Sequence, residues 1–311
     1  MMSENIKEIK YEEMQQILDK YDIRDFYERT VKKPASGDLL NMLQKYTNIS
    51  EPSLKTVIGI DIYRYGNYPA IQQTLIPFIF KMIYDETVNI CLESNQFLFQ
   101  KYTRESLRND FIPTGDGGFQ IFDTPLHAIT FLISFSVALR SYNSFHFYPK
   151  LRDIVGELNL RYAITLDDLY YFDKNFYGAA IISNARILSK DTLNRLLIDE
   201  NTYNWFMFTM SGIENLQTIR LYDIVDFPEF KNYDKKYLSL GNIMFAKESA
   251  NDSGICGVDI LKVGTITAKE TKLSIFNLHL QIMMIVSDDR DQDKVKFFTI
   301  SVGNLNTADI S

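Results

Sequence analysis

The segment Thr56-Val-Ile-Gly-Ile-Asp-Ile-Tyr-Arg-Tyr65 constrains this chain more than any other. Its apolar run, Val57 to Ile60, delivers a carboxylate, Asp61, at the end of a strand. Pro69 and a long apolar-periodic stretch then turn the chain into a helix. Further on, Thr114-Gly-Asp-Gly-Gly-Phe119 sets a second carboxylate, Asp116, among three glycines. Phe111-Ile112 precede it and Phe119-Gln-Ile-Phe122 follow, the pattern of a hairpin with the acid at its tip. Either acid alone is an ordinary strand-end or turn residue. Two strands that bring one carboxylate each to a shared edge make a site for divalent metal, because hard cations take oxygen ligands.

The surrounding periodicity gives an α+β chain. Residues 1–50 read as an N-terminal helical arm, with Met14, Ile17, Leu18 and Tyr21 on one stripe and a second short helix over Leu39–Tyr46. Residues 51–227 form the body. After the first strand the pattern predicts a helix over Pro69–Leu92, strands over Gln96–Tyr102 and Arg108–Pro113, the Gly115–Gly118 turn and a strand over Phe119–Phe122. A helix over Pro125–Tyr142, strands over Leu158–Thr165 and Leu169–Phe172, a helix over Phe176–Leu188 and a strand over Gln217–Val225 follow. The order β-α-β-β-α-β predicts a ferredoxin-like sheet with helices on one face. Residues 228–311 read as a polar linker and a small β-rich C-terminal subdomain, with runs at Val258–Val263, Ile275–Val286 and Val295–Val302. The acidic stretch Asp288–Asp293 reads as a solvated hairpin tip.

Composition excludes several classes. A chain of 311 residues, 46% hydrophobic and 14% aromatic, can bury a sizeable core. A net charge of −7 argues against a protein that wraps nucleic acid. Cys91 and Cys256 lack metal-ligand spacing and read as thiols in a reducing compartment. The start of the chain is expected to carry no secretory signal. The apolar stretch Ala128–Leu139 has polar breaks and falls short of the ~20 residues of a membrane span. The expectation is a soluble cytoplasmic protein.

Converging carboxylates suit phosphoryl chemistry, in which two metals stabilise the attacking and leaving oxygens. The turn after Asp61 offers the backbone N–H groups of Tyr63, Arg64, Tyr65 and Gly66 to phosphates. Arg186, on the helix opened by Gly178, is the candidate cation for transition-state charge, with Asn184 two residues before it. His127, His146 and His279 sit in apolar contexts, and neither a Walker loop nor Gly-x-Gly-x-x-Gly occurs.

Ile60-Asp-Ile62, Thr114-Gly-Asp-Gly117 and Gly178-x7-Arg186 together resemble the three landmarks of class III nucleotide cyclases. The surroundings are most similar to the pyrimidine cyclases of bacterial Pycsar anti-phage systems, which make cyclic UMP or cyclic CMP. The resemblance implies two Mn²⁺ or Mg²⁺ ions held by Asp61, the Ile62 carbonyl and Asp116, with Arg186 stabilising the transition state. It also implies a homodimer whose composite active sites take metals from one chain and the arginine from the other, and a separate effector that senses the product. Where adenylate cyclases read adenine with a lysine this chain has Ile112, and where they keep an aspartate it has Asn175. The family's transition-state asparagine is replaced by Ile182, leaving Asn184 as a shifted candidate. These departures point away from ATP and towards UTP, with CTP as alternative and Tyr63, Tyr65, Phe111 and Thr114 around the base. A non-catalytic nucleotide-sensing module on the same fold is the competing reading. A diguanylate cyclase would show Gly-Gly-Asp/Glu-Glu-Phe at the hairpin, which Gly115-Asp-Gly-Gly-Phe119 does not.

Overall fold

The computed structural model describes residues 11–20, 52–172, 174–239, 245, 253–268, 271–288 and 291–310. In chain order these form α1 (Tyr11–Leu18), β1 (Ser53–Ile62), α2 (Ala70–Ser94), α3 (Gln96–Phe99), α4 (Arg104–Asn109), β2 (Phe111–Pro113) and β3 (Gly117–Phe122). There follow α5 (Pro125–Asn143), α6 (Pro149–Val155), β4 (Leu160–Phe172), β5 (Asn175–Gly178), α7 (Ala179–Lys190), β6 (Leu196–Asp199), α8 (Glu200–Met210) and α9 (Leu221–Ile224). Three strands end the chain: β7 (Gly254–Ala268), β8 (Thr271–Asp288) and β9 (Asp291–Val302). Two compact units result, one of residues up to Ser53 with Tyr170–Tyr177, the other of Leu54–Leu169 with Gly178–Ser311. In the smaller unit, α1 matches the expected arm helix, while the one expected over Leu39–Tyr46 lies outside the described residues. There β5 pairs with β4, and Tyr171 packs on Phe176 with ring centroids 4.9 Å apart.

In the larger unit the sheet order is β2-β3-β1-β4-β6-β8-β7, with β9 on β8. Strands β1 to β4, interleaved with α2 and α5, stand in the order β2-β3-β1-β4, the split arrangement of a ferredoxin-like α+β fold. Alternation along β1 then decides what each face holds. Ile58, Ile60 and Ile62 join a large core with α2 and α5, whose Ile79, Ile83, Ile129 and Phe131 are buried. Val57, Gly59 and Asp61 face the other way. There α7 contributes Ile187 and Leu188 to a second core with Ala163, Leu197, Val263 and Ile275. Helices therefore cover both faces, not one. The second face has its own apolar residues to bury, and α7 brings an amphipathic stripe to them.

Several local expectations change. Gln96–Phe99 is helical, and Arg104–Asn109 is a helix whose N-cap Thr103 accepts from the Ser106 amide at 3.0 Å; only Phe111–Pro113 of that stretch is strand. Leu169–Phe172 is the continuation of β4, and α7 starts at Ala179 because residues 175–178 pair in the sheet. The strand expected over Gln217–Val225 is a 3-10 turn and α9; the Asp223 carboxylate accepts from the Arg220 amide at 2.9 Å and closes a helical turn. The polar linker is partly core, since Phe230 is buried against Phe97 and His127. The C-terminal strands are β-rich as read, but they are no separate subdomain: β8 pairs antiparallel with β6 and extends the same sheet.

His127 shows what this packing does to a titratable group. Fully buried on α5, its ring bonds Thr124 at 2.8 Å and the Leu98 carbonyl at 2.9 Å, as a structural core histidine. Burial pushes its pKa down to about 4. Between pH 6.5 and about 4 the unfolded chain binds a proton that the folded imidazole refuses. Stability contributed by the neutral ring is therefore present above that window and lost as pH falls through it, by roughly 3 kcal/mol. Urea unfolding of wild type and His127→Gln between pH 7 and 4.5 should show the wild type losing more stability on acidification. Parallel pH curves would remove the assignment.

Candidate active site

The two acids meet. In the β1–β3 register Asp61 stands opposite Gly117, and the Ile62 amide donates to the Asp116 carbonyl at 2.9 Å, which carries the ladder onto the hairpin tip. Gly117 permits this approach: a Cβ there would stand 1.9 Å from the Ile60 carbonyl oxygen and 3.0 Å from the Asp61 Cα. Gly115, at φ +97°, makes the turn that a non-glycine residue would resist. Asp61 is half-buried and its pKa is raised, chiefly by desolvation, against the opposing pull of Arg161, with the Asp116 charge adding to the rise. A like-charge pair in a partly dry setting is a favourable place for a cation.

Sequence reading missed Arg161. It projects from β4, the neighbour of β1, and its Nε donates to Asp61 Oδ2 at 2.5 Å. Its Nη1 donates to the Asp191 carbonyl. Alternation in Leu158–Thr165 puts a charge among Ala163 and Thr165 on one face, but nothing in the sequence tells which acid it meets. Asp191 and Arg195, also missed, form an ion pair at 2.9 Å with side chains 1% and 2% exposed.

Asn184 is not presented to the site. It is fully buried, and its Nδ2 reaches the carbonyls of Val57 and Ala163, each at 2.9 Å, and Thr165 Oγ1 at 3.2 Å. It braces β1 to β4 beneath α7, and its spacing along the helix turns it inwards with Ile187 and Leu188. Ile182 and Arg186, one turn apart, lie on the outer side, Ile182 51% exposed and Arg186 half-buried. Among the described residues Arg186 has no ion-pair partner. Its helix lies over the face from which Asp61 projects.

The turn after β1 is only partly free for phosphates. The Tyr63 amide donates to the Asn159 carbonyl at 2.9 Å and its hydroxyl to the Thr192 carbonyl at 2.8 Å, so Tyr63 is a structural tie. Arg64, at φ 57°, begins a 3-10 turn over Tyr65–Asn67, and its guanidinium stacks 4.9 Å from the Tyr63 ring centroid. The Tyr65 hydroxyl is taken by the Gln73 carbonyl at 2.8 Å, while Gly66 is exposed. Ile112 pairs with Phe119, which pairs with Gly59, so Ile112 shares the face of Asp61. Thr114 is exposed at the hairpin. Asn175, whose Oδ1 accepts from the Phe176 amide at 2.9 Å, belongs to the smaller unit. A largely apolar cavity of about 330 Å³ backs the hairpin, walled by Ile62, Phe80, Tyr84 and Phe111.

Among the described residues no group of three or more His, Cys, Asp or Glu side chains converges on one point. Among the described residues Asp61 and Asp116 contribute carboxylate oxygens and the strand ends contribute backbone carbonyls. That donor set fits a hard divalent ion that completes its shell with phosphate oxygens and water. No described helix is long and apolar enough to cross a membrane.

No protein-family model and no curated protein sequence matches the chain. Solved structures do. An adenylate/guanylate cyclase/hydrolase from Silicibacter pomeroyi is 11% identical with a TM-score of 0.39, covering 74% of this chain and 98% of its own. The adenylyl cyclase CyaB from P. aeruginosa is 12% identical with a TM-score of 0.41, covering 78% and 97%. Adenylate cyclases from Trypanosoma brucei, in their monomeric state, are 12% identical with a TM-score of 0.40, covering 74% and 91%. Those proteins are cyclases.

The brace under α7 is directly testable. A Cβ on Gly59 would stand 2.0 Å from Asn184 Oδ1 and 2.7 Å from Leu188 Cδ1. Gly59→Ala should therefore destabilise the protein by about 2–3 kcal/mol through overpacking. Asn184→Ala should cost about 1–3 kcal/mol by leaving buried carbonyls unpaired. Because the second change vacates the space needed by the first, the double variant should be clearly less destabilised than the sum. Additive unfolding free energies would show that the two residues do not touch.

Proposed function

We propose that the chain is a nucleotide cyclase of the class III kind. It converts UTP to 3′,5′-cyclic UMP and diphosphate, in a Pycsar-type anti-phage response where a separate effector senses the product. The observation that carries the reading is the β1–β3 register, which sets Asp61 opposite Gly117, the neighbour of Asp116, on the face that α7 covers. In the reaction the ribose 3′ oxygen bonds the α-phosphorus, the P–O bond between the α- and β-phosphates breaks, and diphosphate leaves. Two divalent ions, Mn²⁺ or Mg²⁺, held by Asp61, the Ile62 carbonyl and Asp116, would supply the positive charge such a displacement needs. The backbone amides of Arg64, Tyr65 and Gly66 are the groups proposed to meet the phosphates. Arg186 serves a second copy of the chain, neutralising charge on its transferring phosphoryl group. Ile182, exposed one turn before Arg186, gives that helix face an apolar contact for the dimer.

The base follows from what is missing. Ile112 offers no hydrogen bond to a purine amine or ring nitrogen, and a buried amine left unpaired costs about 1–3 kcal/mol. Thr114 supplies a small polar group, which suits a pyrimidine; CTP is the runner-up. One observation favours the non-catalytic alternative: with Asn184 buried and Ile182 at the helix surface, α7 presents Arg186 without an adjacent amide.

Three measurements decide. Incubation of the purified chain with each of the four nucleoside triphosphates and Mn²⁺ should give cyclic UMP, with kcat/KM for UTP at least tenfold above ATP and GTP. A tenfold preference for a purine would overturn the base assignment, and nucleotide binding without any cyclic product would favour the sensing module. Asp61→Asn and Asp116→Asn should each lower kcat by at least a hundredfold with the unfolding midpoint kept; near-normal turnover in either removes the two-metal reading. Mixing inactive Asp61→Asn with inactive Arg186→Ala should restore activity through one intact site per heterodimer. Exchanged mixtures that stay silent would mean each site is built within one chain.

A further inference from the structure

We infer that Arg161 is a positioning residue for the divalent ions: it holds Asp61 by one carboxylate oxygen, Oδ2, and leaves Oδ1 to the cation. This rests on the two-metal reading given above and adds a residue that the cyclase landmarks do not include. The geometry is that of a fork fixed at both tines. Nε donates to Asp61 Oδ2 at 2.5 Å, and Nη1 donates to the carbonyl of Asp191. The two side chains of the pair are 21% and 16% exposed, so water competes little for either.

The far anchor is itself built in. The Asp191 carboxylate accepts from Arg195 Nε at 2.9 Å, from the Arg195 amide at 3.1 Å and from the Leu193 amide at 3.2 Å. Arg195 then donates from Nη1 to the Ala308 carbonyl at 2.7 Å. Asp191 therefore cannot follow Arg161 if Arg161 moves, and Arg161 cannot swing away without abandoning a rigid acceptor. A counter-charge meant to be displaced by metal would not be tied at its far end. A planar guanidinium joins two acceptors at a set spacing, which a lysine ammonium on a flexible stem does only loosely. Hydrogen-bonded partners behind a metal ligand typically govern affinity by about 10–100-fold.

The test is a titration of the full-length protein with Mn²⁺ alone, following free ion by electron paramagnetic resonance. Arg161→Met should weaken the Asp61-dependent site about 10–100-fold. Arg161→Lys should recover part of the loss, with both variants checked for an unchanged metal-free unfolding midpoint. Should Arg161→Met fail to fold, Arg161→Gln, which keeps one donor without the charge, should bind Mn²⁺ between wild type and the lost site. Equal or tighter Mn²⁺ binding in Arg161→Gln or Arg161→Met would overturn the proposal, since it would make Arg161 a competitor or a bystander. If wild type and Asp61→Asn titrate alike, the metal site and this inference fall together. If wild type binds Mn²⁺ through Asp61 but no triphosphate is cyclised, only the cyclase reading fails, and the titration still judges Arg161.

Discussion

Strand β1 carries no side chain at residue 59, and the site depends on that gap. Asn184 and Leu188 fill the space a Cβ would need, which lets α7 lie directly on β1 and β4. Gly117 does the same from the side, allowing the hairpin to close on β1 until Asp116 stands beside Asp61. The first approach is of side chains onto backbone and the second of backbone onto backbone, and both are set by sterics. Core packing on the other face, through Ile58, Ile60 and Ile62, then holds the strand in a single register.

The electrostatics of the second face follow from that placement. Asp61 is pulled out of water by the fold, which raises its pKa, and Arg161 on the next strand opposes part of that rise. Behind Arg161 the buried Asp191–Arg195 pair is satisfied by backbone groups, as a buried ion pair must be to offset the loss of hydration. The chain of contacts runs from the carboxylate at the strand end to the Ala308 carbonyl.

Some elements were legible because their signal is local. The helices α2 and α5, the turn around Asp116 and the three C-terminal strands stand close to where periodicity and glycine spacing put them. The short helices α3 and α9 and the end of α4 read as strand because aromatic and branched residues raise β propensity, while the capping groups that favour helix in α4 and α9 act over three residues. Strand β6 and helix α8 left no clear pattern; Leu196–Asp199 is buried on both faces, and Asp199 caps α8 by accepting from the Thr202 amide at 2.9 Å. Asn184 looked like a catalytic candidate because it lies near Arg186 in sequence; two positions along a helix is instead the spacing that turns a side chain to the opposite side.

What the sequence determined by itself is the pair of acids and their local frames: an apolar strand ending in Asp61, a glycine turn presenting Asp116, and a helix bearing Arg186. Periodicity and turn chemistry act over a few residues, and these features need nothing more. Only the tertiary structure decided that the acids meet, that Asn184 is a buried brace, and that Arg161 and the Asp191–Arg195 pair stand behind Asp61. Those facts depend on strand order and register between segments a hundred residues apart, which are fixed by burial of two faces at once and are written in no single stretch.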